Sequence, residues 1–575
     1  MGLYHKTVKR LDRSMYLYYP DIPRHNPDLV TLLVVLRGED SRESAEALLD
    51  AGLRDLSERH HVVLAFPDPL PGGWNSGLDE DKPDDLAALD GLLQEVTKED
   101  DDPLKTNEIG IPELSEMLRQ WHLMNMTRYL AGVDGGADMA YAYAACRPDN
   151  ISAVLGFGGG ISAKALEQAS YVPVAAALTG ASAETAEYFV RACGAEPADD
   201  NDRRTIYRNA VNPVRHVVVG KGGTPGEESA APGFGPGLLE KVWQETFSKV
   251  RRLNTGKVGD LRGFTDLTGP EFTWVKDDDR LGDGKHTWLT HVPSTLEPGE
   301  KVPLVVFYHG GSDNPTEAAE MARLHELGRK EHFITVYPWG SNTASWNINY
   351  DESEGDEGGF GDEKFGMLLI DYMIANYPVD PQRVYLSGFS NGAAMAQVIA
   401  MLYPERIAGL MHIDSNWPGN RWKPTEVDID KIPAMHRALE QKPDWMRMPV
   451  WYTYGTREAS CPVYRGCTQQ YQYDFWKKFN NIEVKPTQEV GTPDACESGV
   501  AGDVVEIIRG VPMYPDHYYV VNRFYTRDAD PKNYYNYVLM HDKGHEVAPM
   551  DPVLGWNYVK QFRRNPDGTV GLVGE

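Results

Sequence analysis

The chain has 575 residues, which is too long for one hydrophobic core and indicates two or more domains. Its formal net charge of −28 at pH 7 argues against a nucleic-acid partner, because phosphate binding needs basic patches. No run of about 18 apolar residues occurs, so we predict no membrane-spanning segment.

The N-terminal stretch, residues 1–21, has basic residues but lacks the apolar core of a signal peptide. A cytoplasmic location is therefore favoured, with secretion as the alternative if a leader has been removed. The five cysteines do not have the spacing of a zinc site, so no metal is expected. Cys461, Cys467 and Cys496 are candidates for a local disulfide in an exported protein, although free thiols are the default expectation.

Both halves of the chain alternate short apolar runs with longer amphipathic stretches. In the first half, residues 78–108 are acidic and poor in apolar residues at their ends, so we expect an excursion on the domain surface. Residues 220–236 are rich in Gly and Pro and predict a mobile loop.

In the second half, "PLVVFYH" (303–309) and "RVYLSGF" (383–389) predict strands, because they are rich in β-branched and aromatic residues. "AAMAQVIAMLY" (393–403) predicts a helix that Pro404 ends. Strands that alternate with helices predict a mostly parallel sheet covered by helices on both faces.

The two halves carry matching motifs in the same order. The pairs are "TLLVVLRGED" (31–40) with "PLVVFYHGGS" (303–312), "HHVVLAFPDPLPGGWN" (60–75) with "HFITVYPWGSNTASWN" (332–347), "YLAGVDGGADMA" (129–140) with "YLSGFSNGAAMA" (385–396), and "VPVAAALTGAS" (172–182) with "MPVWYTYGTRE" (448–458). Four collinear matches argue against chance. We interpret them as a tandem duplication of one α/β domain, with domains at 1–260 and 261–575.

The stretch "VYLSGFSNG" has the form Gly-x-Ser-x-Gly between a predicted strand and a predicted helix. A sharp turn there lifts the Ser390 hydroxyl out of the sheet, and the following helix directs backbone N–H groups towards it. Gly388 and Gly392 leave room for tight packing of strand against helix. Ser390 is therefore the candidate nucleophile, although an ordinary strand–helix turn would also fit this pattern.

Three further features supply the groups that a nucleophilic serine needs. "YHGGS" places glycines after a strand, and we assign the oxyanion hole to the N–H groups of Gly311 and Asn391. His545 follows the last apolar run and is the candidate base, favoured over His541, which lies within that run. Glu458, in "YGTRE", is the candidate acid that orients the base.

The acid is the least certain member, because carboxylates are plentiful in this half; Asp494 and Asp503 are alternatives to Glu458. Asp362 and Glu363 are interpreted as a structural cap of the helix that follows them. The order serine, acid, histidine is the one that an α/β-hydrolase requires.

Residues 285–560 resemble the group of α/β-hydrolases that contains polyhydroxybutyrate depolymerases, feruloyl esterases and acetylxylan esterases. The matching motifs include "PLVVFYHGG", "SWN", "YLSGFSNGAAMA", "YGTRE" and "GHEVAP". The family usually has Cys where Gly311 stands and Asp where Glu458 stands. Neither change removes the needed chemistry, since the hole uses backbone N–H groups and either carboxylate can orient a histidine.

Aromatic side chains near the predicted site are candidate substrate contacts. Trp346 in "ASWN" falls where the family has an aromatic residue at the active-site mouth, and Trp417 and Trp422 follow another strand end. His309 is grouped with them as a substrate-binding candidate. Core packing is the competing interpretation for each tryptophan.

The first half keeps the elbow glycines, as Gly132 and Gly136, but the positions of the serine, the base, the acid and the oxyanion turn are changed. Asp134 stands in place of the serine, "LRGED" replaces "YHGGS", and "LTGAS" carries no carboxylate where Glu458 stands. An elbow Asp can be a nucleophile, as in haloalkane dehalogenases and epoxide hydrolases, but those enzymes also need a histidine. His216 precedes its apolar run, so it lies at the wrong end, and the first half is predicted to be non-catalytic.

The sequence thus predicts a serine carboxylic-ester hydrolase that needs no cofactor and acts through an acyl-enzyme. Its substrate would be a polyhydroxyalkanoate-type polyester or oligoester, or an aryl or carbohydrate ester. The alternatives are a serine peptidase on the same fold and a binding protein without catalysis. We expect the two domains to pack together, with the first shaping or shielding the pocket of the second. The sequence is also compatible with a homo-oligomer.

Overall fold

The computed structural model describes most of the chain. The described residues are 2–21, 30–97, 123–133, 135–221, 236–252, 261–282, 284–311, 313–340, 345–347, 362–415, 438–457, 468–484, 502–511 and 517–574.

The chain forms two compact units, Met1–Thr265 and Asp266–Glu575. The sequence places the boundary five residues earlier, at 260/261. Each unit has its own ten-stranded sheet and its own core, as expected for two α/β domains.

The sheet of the first unit has the spatial order β1-β2-β4-β3-β5-β6-β7-β10-β9-β8. Its strands are β1 Leu3–Val8, β2 Arg13–Tyr18, β3 Val30–Leu36, β4 Val62–Pro67, β5 Leu123–Gly132, β6 Ala153–Phe157, β7 Ala175–Thr179, β8 Glu196–Asp200, β9 Arg204–Arg208 and β10 His216–Gly220. The six central strands are parallel, and the two strands at each edge are antiparallel to their neighbours. A two-stranded ladder, β11 Arg251–Arg252 with β12 Leu261–Arg262, follows.

Helices cover both faces of this sheet. They are α1 Arg42–Leu48, α2 Arg54–His60, α3 Asp85–Thr97, α4 Gly136–Cys146, α5 Ala163–Gln168, α6 Ala183–Cys193 and α7 Pro236–Glu245. Side chains of β3 alternate between the faces: Leu32 and Val34 pack with α3, α4 and α6, whereas Leu33 and Val35 pack with α1, α2 and α7. This alternation is the period of two that an extended strand imposes.

The sheet of the second unit has the order β13-β14-β16-β15-β17-β18-β19-β22-β21-β20. Its strands are β13 Phe272–Asp278, β14 His286–His291, β15 Val302–Tyr308, β16 Ile334–Pro338, β17 Val379–Phe389, β18 Gly409–Ile413, β19 Val450–Gly455, β20 Val504–Ile508, β21 Tyr519–Tyr525 and β22 Asn533–Met540. A ladder of β23 Phe562–Arg564 with β24 Val570–Leu572 follows it.

Helices again cover both faces. They are α8 Pro315–Ala322, α9 Leu324–Glu331, α10 Glu363–Asn376, α11 Asn391–Leu402, α12 Thr468–Phe479 and α13 Asp551–Val559. Helices α10, α11 and α12 pack on one face, and α8, α9 and α13 on the other. The predicted strands around 303–309 and 383–389 and the helix around 393–403 are all present, displaced by at most four residues at their ends.

Two expectations were wrong. Residues 85–97 form the helix α3, whose Leu89 and Leu92 are 2% exposed in the core of the first unit, so the 78–108 stretch is not only a surface excursion. Its leucines recur at helical spacing between acidic residues, which hid the apolar face. Asp362 makes no side-chain cap of α10; its carboxylate accepts a 2.7 Å hydrogen bond from the Asn347 N–H instead.

The two units repeat the same contacts as well as the same strand order. The Trp74 indole N–H donates to the Arg37 carbonyl (2.7 Å), as that of Trp346 does to the His309 carbonyl (2.9 Å), and the Asn75 N–H donates to Asp85 Oδ2 (2.7 Å), as the Asn347 N–H does to Asp362 Oδ2 (2.7 Å). The Tyr129 hydroxyl donates to the Val250 carbonyl (2.8 Å), as the Tyr385 hydroxyl does to the Phe562 carbonyl (2.5 Å). Arg252 Nε donates to the Ile151 carbonyl (2.8 Å), as Arg564 Nε does to the Ile407 carbonyl (2.8 Å). The order of contacts along the chain follows the aligned motifs.

Among the described helices, none combines the length and the apolar character needed to cross a bilayer. Most of the predicted loop at 220–236, the disulfide candidates and Asp134 lie outside the described residues.

Candidate active site

Ser390 lies at a tight turn between β17 and α11. Its backbone has φ 51° and ψ −121°, a strained conformation for a residue with a side chain. A Cβ atom at Gly392 would lie 2.1 Å from the carbonyl oxygen of His309, and one at Gly388 would lie 2.6 Å from the carbonyl of Gly392. Only glycine fits at these two positions, as the elbow pattern predicts.

The turn brings Ser390 and His545 together. His545 Nε2 lies 2.8 Å from Ser390 Oγ, although 155 residues separate them in the chain. The imidazole follows β22, packs against the Phe389 ring with centroids 4.7 Å apart, and is exposed. A half-buried serine hydroxyl in contact with an exposed imidazole nitrogen is the arrangement in which a base can accept the proton of an attacking serine.

Helix α11 begins directly after the serine. The first four N–H groups of a helix have no carbonyl partner within it, so the N–H of Asn391 is available to a ligand beside Ser390. A Cβ placed on Gly311 would lie 3.8 Å from the Cβ of Asn391. The two residues assigned to the oxyanion hole are therefore neighbours in space.

Trp346 and Asn391 connect the glycine turn to the elbow. Asn391 Oδ1 accepts a 2.6 Å hydrogen bond from the Trp346 N–H, and Trp346 Nε1 donates to the carbonyl of His309. Trp346 is 1% exposed and packs on the rings of Tyr308 and His309. Trp346 is therefore a core residue that supports the turn, as the packing interpretation predicts, and it does not line the surface of the site.

His309 is also buried, and backbone groups contact both of its ring nitrogens. Nε2 accepts from the Gly340 N–H at 3.1 Å, so Nδ1 carries the proton and donates to the Gly310 carbonyl at 2.6 Å. Burial lowers the pKa of His309 to about 4, so the ring is neutral at pH 7. The residue has no exposed surface for a substrate; it holds the turn that carries Gly311.

The rival base His541 lies elsewhere. Its ring stacks on the Tyr518 ring, with centroids 4.6 Å apart and planes inclined by 10°. The backbone N–H of His541 donates to the Tyr518 carbonyl. The contact with Ser390 belongs to His545.

Glu458 and Trp417 lie outside the described residues, as does Trp422. The chain just before Glu458 is described: the Thr456 N–H donates to the Met540 carbonyl, and the Arg457 N–H to the Lys543 carbonyl. Residues 456–457 thus run beside the turn that leads to His545. Asp494 is also outside the described residues.

Asp503 lies at the wrong edge of the sheet to serve as the acid. Val504 pairs with Arg523, which pairs with Asn536, near the start of β22. His545 follows the other end of β22, so Asp503 and His545 lie at opposite edges.

A buried ionic cluster beside the site escaped the sequence reasoning. Lys543 Nζ lies 2.7 Å from Asp414 Oδ2 and 2.7 Å from Asp551 Oδ2, and all three side chains are 0% exposed. Glu546 is also buried, and burial raises the pKa of its carboxyl group to about 9. Each residue sits in an ordinary charged stretch of sequence, and only the fold brings the four together.

The first unit has the same turn with different side chains. Arg37, at the position of His309, is buried and its guanidinium forms an ion pair with Asp68 at 2.5 Å. Glu39, at the position of Gly311, is exposed. His216 begins β10, at the amino edge, where Nδ1 contacts the Val214 carbonyl and Nε2 contacts Thr246 Oγ1.

Among the described residues, no group of three or more His, Cys, Asp or Glu side chains is arranged to hold a metal ion. The described part of the site consists of a serine, a histidine, backbone N–H groups and their supports. Such a set suits acyl transfer to a serine.

Comparison with known proteins shows which family part of the chain is similar to. The sequence model described as Esterase PHB depolymerase matches residues 291–417, which contain Ser390, Gly311 and Asn391. The predicted resemblance to polyhydroxybutyrate depolymerases and feruloyl and acetylxylan esterases is confirmed for this segment. His545 and Glu458 lie beyond it.

Individual relatives match over a similar length. Poly(3-hydroxyalkanoate) depolymerase C of Paucimonas lemoignei is 36% identical over 128 residues, covering 22% of this chain and 30% of the relative. Feruloyl esterase B of Neurospora crassa is 32% identical over 117 residues, covering 20% and 39%. The solved acetyl xylan esterase from Aspergillus awamori aligns with a TM-score of 0.35 and 16% identity, covering 50% of this chain and 98% of that one. The chain thus spans less than two fifths of the length of these two curated relatives.

Proposed function

We propose that the second unit is a serine carboxylic-ester hydrolase. The observation that carries the proposal is the 2.8 Å contact between Ser390 Oγ and His545 Nε2 at a strained strand–helix turn. The sequence match to an esterase family, which includes the serine, supports the same reaction class.

In this mechanism His545 Nε2 takes the proton of Ser390 as Oγ attacks the ester carbonyl. The carbonyl oxygen becomes an oxyanion, which the N–H groups of Gly311 and Asn391 stabilise. His545 then gives the proton to the leaving alkoxide, and an acyl-enzyme remains. Water, deprotonated by the same histidine, releases the acid and restores the serine.

Glu458 is the proposed acid that orients His545. The segment that precedes it is hydrogen-bonded to Met540 and Lys543, next to the histidine loop, which supports this role. Two carboxylates that the structure describes suit this role less well than Glu458. Asp503 lies at the opposite sheet edge, and Asp414 is paired with Lys543.

The proposed substrates are polyhydroxyalkanoate-type polyesters or oligoesters, and aryl or carbohydrate esters. The names of the matched relatives, a poly(3-hydroxyalkanoate) depolymerase and feruloyl esterases, motivate both classes. A panel of polyhydroxybutyrate film, 3-hydroxybutyrate oligomers, methyl ferulate and acetylated xylan separates them.

The reaction class is tested with a short p-nitrophenyl ester and a fluorophosphonate. We expect hydrolysis of the ester and one covalent adduct per chain, mapped by peptide mass spectrometry to Ser390. Inclusion of the matching p-nitroanilide tests for amide cleavage. An adduct on another serine, or hydrolysis that the fluorophosphonate does not block, would contradict the proposal.

We propose further that the chain arose by tandem duplication and that the first unit has lost catalysis. The equal strand orders and the four recurring contacts support the duplication. The loss is supported by Glu39, whose exposed carboxylate replaces an oxyanion-hole glycine and would repel the anion, and by His216 at the amino edge of its sheet.

A further inference from the structure

The loop that carries His545 runs from the end of β22 at Met540 to the start of α13 at Asp551. Its third residue, Lys543, is buried, and its ammonium group lies 2.7 Å from Asp414 and 2.7 Å from Asp551. A buried lysine needs such partners, because desolvation of an unpaired ammonium group is unfavourable.

Asp414 belongs to the nucleophile side of the site. It follows β18 directly, and the Ser390 N–H donates to the carbonyl of its neighbour Ile413 at 3.0 Å. Its carboxylate also accepts from the Gly455 N–H at 2.9 Å and from the Glu546 N–H at 3.3 Å. Glu546 is the residue after His545. The Asp414 carboxylate therefore contacts the histidine loop at two points, the side chain of Lys543 and the backbone N–H of Glu546.

Asp551 anchors the far end of the same loop. Its carboxylate accepts from the Ala548 N–H at 2.9 Å, and its other oxygen accepts from the Tyr519 hydroxyl at 2.9 Å. Lys543 therefore joins the strand end beside Ser390 to the helix start behind His545.

The backbone of Asp414 indicates that its carboxylate has a use. Its φ is 45°, a conformation that favours glycine, and the corresponding residue of the first unit is Gly158, with φ 68°. The corresponding backbone hydrogen bonds, Asp414 N to Thr453 O and Gly158 N to Thr179 O, are both present. The second unit thus places a carboxylate where the backbone alone favours glycine.

We propose that Lys543 is a positioning residue, which fixes the His545 loop to the nucleophile strand through Asp414 and Asp551. It does not touch the reacting atoms; it keeps His545 Nε2 at hydrogen-bond distance from Ser390 before substrate binds. The inference rests on the proposed function, in which His545 is the base.

The first test is a double-mutant cycle of Lys543→Met and His545→Ala, assayed with an activated aryl ester. Misplacement of a reacting group by about 1 Å costs on the order of 10²-fold in rate, so we expect Lys543→Met to lower kcat about 100-fold with KM changed less than about threefold. In the His545→Ala background, Lys543→Met should have little further effect on kcat, because no base remains to be positioned.

The matched control is Lys560→Met, which removes another lysine of the second unit, whose ammonium group lies 2.8 Å from Glu331. It should leave kcat within about twofold. Circular dichroism and thermal unfolding establish that each variant is folded, and rates are expressed per folded molecule. If Lys543→Met lowers kcat by the same factor with and without His545, the role is structural only and the positioning proposal is wrong.

Asp551→Asn is the second variant, for the case in which Lys543→Met does not fold. It keeps the Lys543–Asp414 pair and weakens only the far anchor, so a smaller loss in kcat is expected, about tenfold, again absent in the His545→Ala background. Unchanged kcat would overturn the proposal. Full activity of Ser390→Ala or His545→Ala would instead contradict the proposed function itself, so the two failures are distinguishable.

Discussion

The two units of this chain share a scaffold and differ at the site. Each has a ten-stranded sheet with the same strand order, and each fixes the turn after its third strand with a tryptophan indole N–H. The side chain below that turn is neutral His309 in the second unit and ion-paired Arg37 in the first.

The contacts that hold a strand–helix elbow in place are therefore distinct from the groups that would give it catalytic chemistry. The close approach of Gly136 to the Leu36 carbonyl, where a Cβ would lie 2.2 Å away, matches that of Gly392 to the Tyr308 carbonyl, also 2.2 Å. The glycine that opens the helix therefore packs against the neighbouring strand end in the same way in both units. Catalysis needs in addition an open oxyanion site and a histidine at the carboxyl edge.

The largest expected effect comes from Ser390→Ala. Because members of a catalytic set act as a unit, we expect ester hydrolysis to fall about 10⁴–10⁶-fold in the full chain, with the fold retained. The measurement is initial-rate turnover of a p-nitrophenyl ester. Residual turnover that a second change, Asp134→Asn, removes would show that the first unit has its own nucleophile.

Arg37→Met tests the other unit. The change leaves the buried Asp68 carboxylate without its guanidinium partner, so we expect the free energy of unfolding of the first unit to fall by about 3–5 kcal/mol. Hydrogen exchange of β3 and β4 measures this loss locally. At a temperature where that unit remains folded, kcat should be unchanged; a decrease would mean that the first unit contributes to the site.

Glu458→Gln probes a carboxylate that the first unit lacks. Since the acid orients the base and does not transfer the proton, we expect a smaller loss than for Ser390→Ala, about 10²-fold in kcat. Ester turnover across pH 5–9 measures it, with Asp503→Asn as the control at the opposite sheet edge. Full activity of the Glu458 variant would move the acid elsewhere, with Asp494 next to be tested.

Glu546→Gln tests a buried carboxyl group of the second unit. Its pKa of about 9 means that the native state keeps a proton that the unfolded state releases above about pH 4.3. Stability of the wild type therefore falls as pH rises between these two values. In urea unfolding, the free energy of unfolding of Glu546→Gln relative to the wild type should increase by about 1–3 kcal/mol as pH rises from 5.5 to 7.5. A difference that does not change with pH would contradict the shifted pKa.

The smallest expected effect is that of Asp134→Asn in the otherwise unchanged chain. If the first unit is non-catalytic, turnover of the p-nitrophenyl ester should stay within about twofold, with Ser390→Ala as the inactive reference. Turnover of an epoxide and a haloalkane is measured in parallel, and none is expected. Loss of ester turnover in Asp134→Asn would show that the carboxylate has a catalytic task.

Much of the scaffold could be predicted from local patterns in the sequence. Strand periodicity, turn glycines and the repeated motifs are local signals, so they predicted α/β units, the Ser390 elbow and the choice of His545 over His541. Local signals also predicted that His216 lies at the wrong end of its strand, and β10 begins with that residue. Helix α3 escaped because its apolar face is interrupted by acidic residues.

The contacts between polar side chains came from the three-dimensional fold. It placed His309 and Trp346, both predicted to contact substrate, beneath the turn that carries Gly311, because burial depends on what the following segments cover. It also brought Lys543 between Asp414 and Asp551, residues 129 and 8 positions away in the chain. Pairings over such separations leave no periodic trace in a single sequence, since they depend on how strand ends converge at one edge of the sheet.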